Sequence, residues 1–217
     1  MGTFALRDVW IRKIWRNFED QGLSVVMHKI IAGVLSPVYE KRTYRLYNID
    51  LRAYSPQHPS GFEEIEFRLL SPSDTEAIRE IEHMSEWLHG TLSERIGKGA
   101  ICLAAIENGR VAGFNLISFG DVFMSLIHLN RQFRRDEAWS EQIAVCKDSR
   151  KKGLGAALRY RVFEELSKRG YRKLYGGALV DNTPSLKLAR RVGFREFVDI
   201  QYMRVLGQSK WIYMRVS

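Results

Sequence analysis

Three apolar residues, Ile143, Ala144 and Val145, lead through a short turn into Arg150-Lys151-Lys152-Gly153-Leu154-Gly155-Ala156-Ala157-Leu158. The pattern reads as a strand delivering a basic glycine loop into a helix, a build suited to gripping a diphosphate. Glycines at 153 and 155 remove Cβ atoms that would obstruct close approach, and the first turn of a helix leaves its N–H groups unpaired. Such a terminus attracts anions. Arg150, Lys151 and Lys152 add cations whose charge-assisted hydrogen bonds to phosphate oxygens are short and strong. Two other phosphate motifs do not fit. A dinucleotide fingerprint wants Gly or Ala where Leu158 stands, and a Walker loop wants Gly-Lys-Ser/Thr, which is absent. Taken alone, the loop also suits an ordinary helix with a glycine-rich start.

A second pattern follows. Leu174 to Val180 reads as a strand, and Asn182-Thr183-Pro184-Ser185 opens a helix that Gly193-Phe194 closes. Asn182 is placed to cap that helix, Pro184 suits its first turn, and Gly193 sits where a left-handed terminus belongs. Together, Arg-x-x-Gly-x-Gly-Ala, a strand, and Asn-x-x-Ser with Gly-Phe eleven residues after the Asn resemble the GNAT superfamily of acyl-CoA-dependent N-acyltransferases. The resemblance covers roughly residues 63 to 217 and is strongest from Trp139 to Phe194.

That resemblance implies an α/β (α+β) fold: a mixed, mostly antiparallel central sheet with a splayed strand pair, flanked by helices. It implies acetyl-CoA or another acyl-CoA as donor, a small amine, amino sugar or protein amine as acceptor, and no metal. The pantetheine arm would lie along Ile143, Ala144 and Val145, and the pyrophosphate on the backbone from Lys151 through Gly153, Leu154 and Gly155 to Ala156. Asn182, and with it Ser185, would meet the pantetheine side.

Direct acyl transfer needs a deprotonated amine held against the thioester carbonyl, since an ammonium has no lone pair to attack with. A carboxylate on the strand before the glycine loop is the usual kind of base. Glu141, two residues before Ile143, is the first candidate, with Asp136 and Glu137 secondary. One position departs from the family pattern: Ala189 stands seven places after Asn182, where a tyrosine often protonates the leaving thiolate. Tyr202 and Tyr175 are substitutes to consider, alongside water or unassisted departure. The same departure leaves open a non-catalytic acyl-CoA-binding or scaffold module.

The elements that must position these residues are legible to different degrees. Ile65, Phe67 and Leu69 alternate as a strand; Ser73-Asp74-Thr75-Glu76 forms a capping box opening a helix; a further helical stretch is predicted from about Ser85 to Ile96. Ile101 to Ile106 and Val111 to Ile117 are two strands joined at Asn108-Gly109, a strong hairpin signal. Phe123, Ser125, Ile127 and Leu129 suggest a strand extension before the basic Asn130 to Arg135, and Phe197 to Val205 with Trp211 to Val216 a terminal hairpin. Residues 43 to 51 alternate weakly as a strand, and Tyr54 to Gly61 is the best linker. The expected division is therefore a helical extension over 1–60 and the acyltransferase domain over 61–217.

Residues 4 to 36 read as two amphipathic helices, the first basic with Trp10 and Trp15. They suit packing on the domain, a second copy of the chain in a homodimer, or an anionic membrane surface. Apolar content of 45% argues against disorder, and a formal charge of +9 favours an anionic partner without naming it. Nothing beyond that charge points to nucleic acid. Cys102 and Cys146 both fall in expected strands, as reduced thiols of a cytoplasmic protein would. Arg7, Asp8, Arg12 and Lys13 interrupt any secretory core. The expected location is the cytoplasm, with the inner face of the membrane as the place for a peripheral contact.

Overall fold

A computed structural model describes residues 39–55, 60–150 and 153–216. The helices expected over 4–36, and Lys151 and Lys152, lie outside the described residues. Contacts divide the chain into Thr43–Ile200 with Tyr213–Ser217, and Met1–Arg42 with Gln201–Ile212.

In the first unit the chain gives β1 (Tyr39–Asp50, continuing from the other unit), β2 (Glu66–Leu69), α1 (Thr75–Met84), α2 (Leu92–Gly97), β3 (Ile101–Glu107) and β4 (Arg110–Ser118). There follow β5 (Asp121–Met124), β6 (Leu129–Gln132), β7 (Glu137–Val145), α3 (Leu154–Lys168), β8 (Lys173–Leu179) and α4 (Thr183–Arg191), then β9 (Arg195–Val205) and β10 (Gln208–Arg215), which both run partly in the other unit. The sheet order is β10-β9-β1-β8-β7-β4-β3-β2, with β5 and β6 a separate hairpin. The pairs β1–β8, β2–β3, β3–β4 and β4–β7 are antiparallel, and β7–β8 is parallel. The expected mixed, mostly antiparallel sheet is thus observed.

Each sheet face has its own core. Ile78 and Ile81 of α1, with Leu92 and Ile96 of α2, close over Cys102, Ala104, Phe114 and Leu116. On the other face Leu158, Val162, Phe163 and Leu166 of α3, with Leu186 and Ala189 of α4, pack against Tyr47, Leu103, Ile117 and Leu174. Burying an aliphatic or aromatic side chain in such a core contributes roughly 1.5–3 kcal/mol.

Several expectations are corrected. β1, expected as a strand over residues 43 to 51, starts earlier, at Tyr39, and is an interior strand of this sheet. Its alternation is weak because Tyr44, Leu46 and Tyr47 are all buried, as befits a strand covered on both faces. Arg45 fixes it to β9: Nε and Nη2 each donate to Asp199 at 2.7 Å and Nη1 to Glu196 at 2.9 Å, a forked charge-assisted contact. The helical stretch from Ser85 breaks into a 3-10 turn, Glu86–Leu88, and α2, because Gly90 adopts φ +69°. No capping box forms at α1, since the Asp74 carboxylate accepts from Ser71 N and Oγ instead. The strand extension after Phe123 is interrupted by a 3-10 turn, Ser125–Ile127, ending at His128 with φ 48°. Cys146 falls just past the end of β7 and donates to the Val111 carbonyl. The Asn108-Gly109 hairpin forms as expected, both residues at positive φ.

In the second unit, the described residues are 39–42 and 201–212. Glu40 pairs there with Arg42 and, at 3.0 Å, with Arg204. The Tyr202 hydroxyl shares a hydrogen bond with Ser209 at 3.2 Å, and its ring lies 5.7 Å from Trp211.

Candidate functional site

β7 and β8 run side by side only from Glu137↔Lys173 to Ser140↔Gly176. Beyond that point β7 continues to Val145 with β4 as its neighbour, and β8 continues to Leu179 with β1 as its neighbour. The two strands form a fork, and Ile143, Ala144 and Val145 make one prong.

At the root of the fork β7 carries a bulge. Ile117 pairs with Ser140 and Leu116 with Gln142, so Glu141 is the extra residue. A bulge re-aims side chains, and here it turns two consecutive residues toward the α1–α2 face. Gln142 accepts from Ser85 Oγ at 2.8 Å, just past α1. Glu141 Oε1 accepts from Arg95 of α2 at 2.5 Å, and Oε2 accepts from Ser118 Oγ at 2.6 Å. Ser140 and Ile143, on either side, face α3.

Below the bulge lies a buried polar chain. Arg159 of α3 is 3% exposed and donates to Ser140 Oγ, whose hydroxyl donates to Asn115 Oδ1 at 3.0 Å. Arg159 Nε and Asn115 Nδ2 remain unpartnered, and among the described residues no carboxylate pairs with Arg159. Burial pulls the guanidinium below its ordinary pKa, opposed by Tyr47 and Tyr44. Both tyrosines come from β1 and cross β8 at adjacent glycines. A Cβ on Gly176 would meet Tyr47 Cε2 at 2.5 Å, and one on Gly177 would meet Tyr44 Cζ at 2.9 Å. Being three apart on a strand, they cross on opposite faces.

Two helices start beside the fork. α3 begins at Gly153, which needs its φ of +91° and whose carbonyl accepts from Ala156 at 2.9 Å and Ala157 at 3.2 Å. Leu154 and Gly155 come before the first intrahelical donors, and the first turn contains no acidic residue. Leu154 and Ala156 bury their side chains, so what they present outward is backbone. Gly155 has a packing reason as well: a Cβ there would lie 3.2 Å from Leu188 of α4. Arg150 Nε turns back to the Val145 carbonyl at 3.1 Å. α4 begins at Asn182, whose Oδ1 accepts from Ser185 N at 3.3 Å. Gly193 ends it at φ +93°.

A cavity of ≈ 480 Å³ lies away from the fork, lined by Glu64, Glu66, Asp74, Glu76 and Glu80 together with Arg68. So many carboxylates disfavour a phosphorylated ligand there, whereas the basic, amide-rich start of α3 favours one.

The model of the acetyltransferase (GNAT) family matches residues 44–194. This chain belongs to that family. Over 130 residues it is 28% identical to the ribosomal protein bS18-alanine N-acetyltransferase of Escherichia coli, covering 58% of this chain and 78% of that one. A mycothiol acetyltransferase of Clavibacter sepedonicus is 30% identical over 121 residues, 53% of this chain and 35% of its own length. A solved GCN5-related N-acetyltransferase of Sphaerobacter thermophilus shares the fold, with TM-score 0.58, 22% identity, and 81% of this chain covered. The match spans 56% of that longer protein.

In this GNAT chain the structure gathers Glu141, Ile143 to Val145, Arg150, Gly153 to Ala156, Asn182 and Ser185 on three elements around one fork. The substitutes considered for a tyrosine at 189 are engaged elsewhere: Tyr175 donates to Glu137 at 3.1 Å, and Tyr202 is held by Ser209. Asp136 pairs with Arg172 at 3.4 Å, and the second Glu137 oxygen accepts from Arg134 N at 3.1 Å. Sequence reasoning missed Arg95, Ser118, Arg159, Tyr44 and Tyr47. Only the tyrosines left a signal, the pair Gly176-Gly177 inside a strand, which marks close approach by another group.

Proposed function

We propose that this chain transfers an acetyl group from acetyl-CoA to a primary amine by direct attack. The observation that carries the reading is the fork: β7 and β8 part at Ser140↔Gly176, with Glu141 bulged at the root and the bare first turn of α3 alongside. An extended arm placed along Ile143 to Val145 would bring its diphosphate to the amides of Gly153 to Gly155, with Asn182 and Ser185 on the opposite flank. Lys151 and Lys152 would add charge.

Glu141 serves as the base in this reading. Both its oxygens are occupied, by Arg95 and Ser118, so the amine proton reaches it through a bridging water or by displacing Ser118. The acceptor panel starts from an alanine N-terminus, following the E. coli relative, and extends to amino sugars and small amines. Release of CoA with at least one acceptor is the expected result. Glu141→Gln lowers kcat by about 10²-fold while acetyl-CoA binding stays unchanged.

The second reading, a binding module without turnover, draws on Ala189, which is 1% exposed and offers no donor. It is preferred if acetyl-CoA binds, no acceptor releases CoA, and Glu141→Gln changes nothing. A contact of residues 4–36 with an anionic membrane is a separate proposal. Sedimentation with anionic vesicles that survives deletion of residues 1–40 would remove it.

A further inference from the structure

A thiolate leaving a thioester departs faster with a positioned proton donor. The mouth of the fork offers one. Glu141 and Gly177 are the first residues past the last β7–β8 pair, where the strands part. Gly177 has no side chain, and the Tyr44 ring occupies the place of one: its Cζ, the carbon bearing the hydroxyl, lies 2.9 Å from where a Gly177 Cβ would stand. The ring of a residue on β1, more than a hundred positions away in the chain, therefore lies over β8 with its hydroxyl-bearing carbon at Gly177. Tyr44 is 5% exposed. It lies within electrostatic reach of Glu141 on one side and Arg159 on the other.

We propose that Tyr44 is the proton donor to the departing CoA sulfur. The inference rests on the acetyl-transfer reading above. As the amine nitrogen bonds to the carbonyl carbon, the C–S bond breaks and its electron pair passes to sulfur. The Tyr44 hydroxyl gives sulfur its proton, forming the CoA thiol. The phenolate then recovers the proton that Glu141 took from the amine, by way of solvent, leaving amide, thiol and unchanged enzyme.

The surroundings suit both halves of that cycle. Burial raises the Tyr44 pKa, so it meets the thioester as a protonated donor. The buried Arg159 cation acts in the opposite direction and steadies the phenolate when the proton has gone. Arg159 is a positioning residue here: a nearly inaccessible cation without a carboxylate is unfavourable at rest and is compensated by transient anions at the fork. Tyr47 is the natural control, because its hydroxyl already donates to the Gly177 carbonyl at 3.4 Å.

The test compares CoA with desulfo-CoA, which lacks the sulfur, as calorimetric titrants of wild type, Tyr44→Phe and Tyr47→Phe. Phenylalanine keeps the ring over its glycine, and melting curves check that each variant folds. Wild type should bind CoA about 10-fold more tightly than desulfo-CoA, Tyr44→Phe should bind both alike, and Tyr47→Phe should keep the preference. With any accepted amine, Tyr44→Phe should lower kcat about 10²-fold and leave the KM for acetyl-CoA unchanged. A preference retained by Tyr44→Phe, absent from wild type, or removed by Tyr47→Phe in its place overturns the proposal while the acetyl-transfer reading stands. Failure of wild type to bind either compound overturns both.

Discussion

α3 and α4 lie on the same sheet face and each begins shortly after a strand, yet they complete their first turns in opposite ways. α4 supplies its own cap: Asn182 accepts from Ser185 N, and proline occupies the first turn, where no intrahelical N–H is needed. α3 supplies none. Its N-cap is a glycine in the left-handed region, and nothing acidic follows in the first turn. A helix that satisfies its own terminus needs no ligand, whereas one that leaves the terminus bare beside a fork is built to receive an anion. On the proposed reading, the contrast separates residues that hold the fold from residues that would hold acetyl-CoA.

The strongest way to break that contrast is to give α3 a cap of its own. In Gly153→Asp the carboxylate would bond the first-turn amides and repel a diphosphate, and a Cβ there meets only Phe62, at 3.6 Å. Acetyl-CoA affinity should fall by about 10²-fold or more, as two charge-assisted bonds are lost, and the melting temperature should fall as well, because an L side chain is strained at φ +91°. Gly153→Asn carries the same backbone strain without the charge, so it should lose similar stability but much less affinity. Equal binding by both variants and wild type would mean that the anion is held elsewhere.

At α4 the matching change is Asn182→Ala. Removing the cap should lower stability by about 1 kcal/mol in a denaturant titration, with a smaller effect on acetyl-CoA affinity than Gly153→Asp. The reverse ranking would place the main donor contact on α4. The smallest effect is expected from Gly155→Ala. The new methyl group presses on Leu188 while the backbone amide stays in place, so acetyl-CoA affinity should remain within about two-fold of wild type. A large loss of binding without loss of stability would show that the missing Cβ itself makes room for the ligand.

The same divide explains what the sequence could reveal. Local features were legible: the Asn182 cap, the Gly193 terminus, the Asn108-Gly109 turn and the glycine loop follow from a few neighbouring residues. Features that depend on distant partners were not. β1 pairs with β8 across more than a hundred residues and is buried on both faces, which erases its period-two signal. Glu141 could be placed on a strand, but not in a bulge, because a bulge exists only relative to the register with β4. Arg95 and Ser118 come from separate elements and meet Glu141 only in the fold. Tyr44 and Tyr47 carry no motif, and their positions depend on two glycines they approach from another strand.

The central claim is that acetyl-CoA lies in the fork and ends on the first turn of α3. Backbone amide hydrogen exchange of the full chain, with and without acetyl-CoA, tests it residue by residue. Ile143 to Val145 and the first turn of α3 from Leu154 should become protected, while the self-capped first turn of α4 at Ser185 should change little. Protection centred on the acidic cavity around Glu66 and Asp74, or no protection at the fork under saturating acetyl-CoA, would contradict the account.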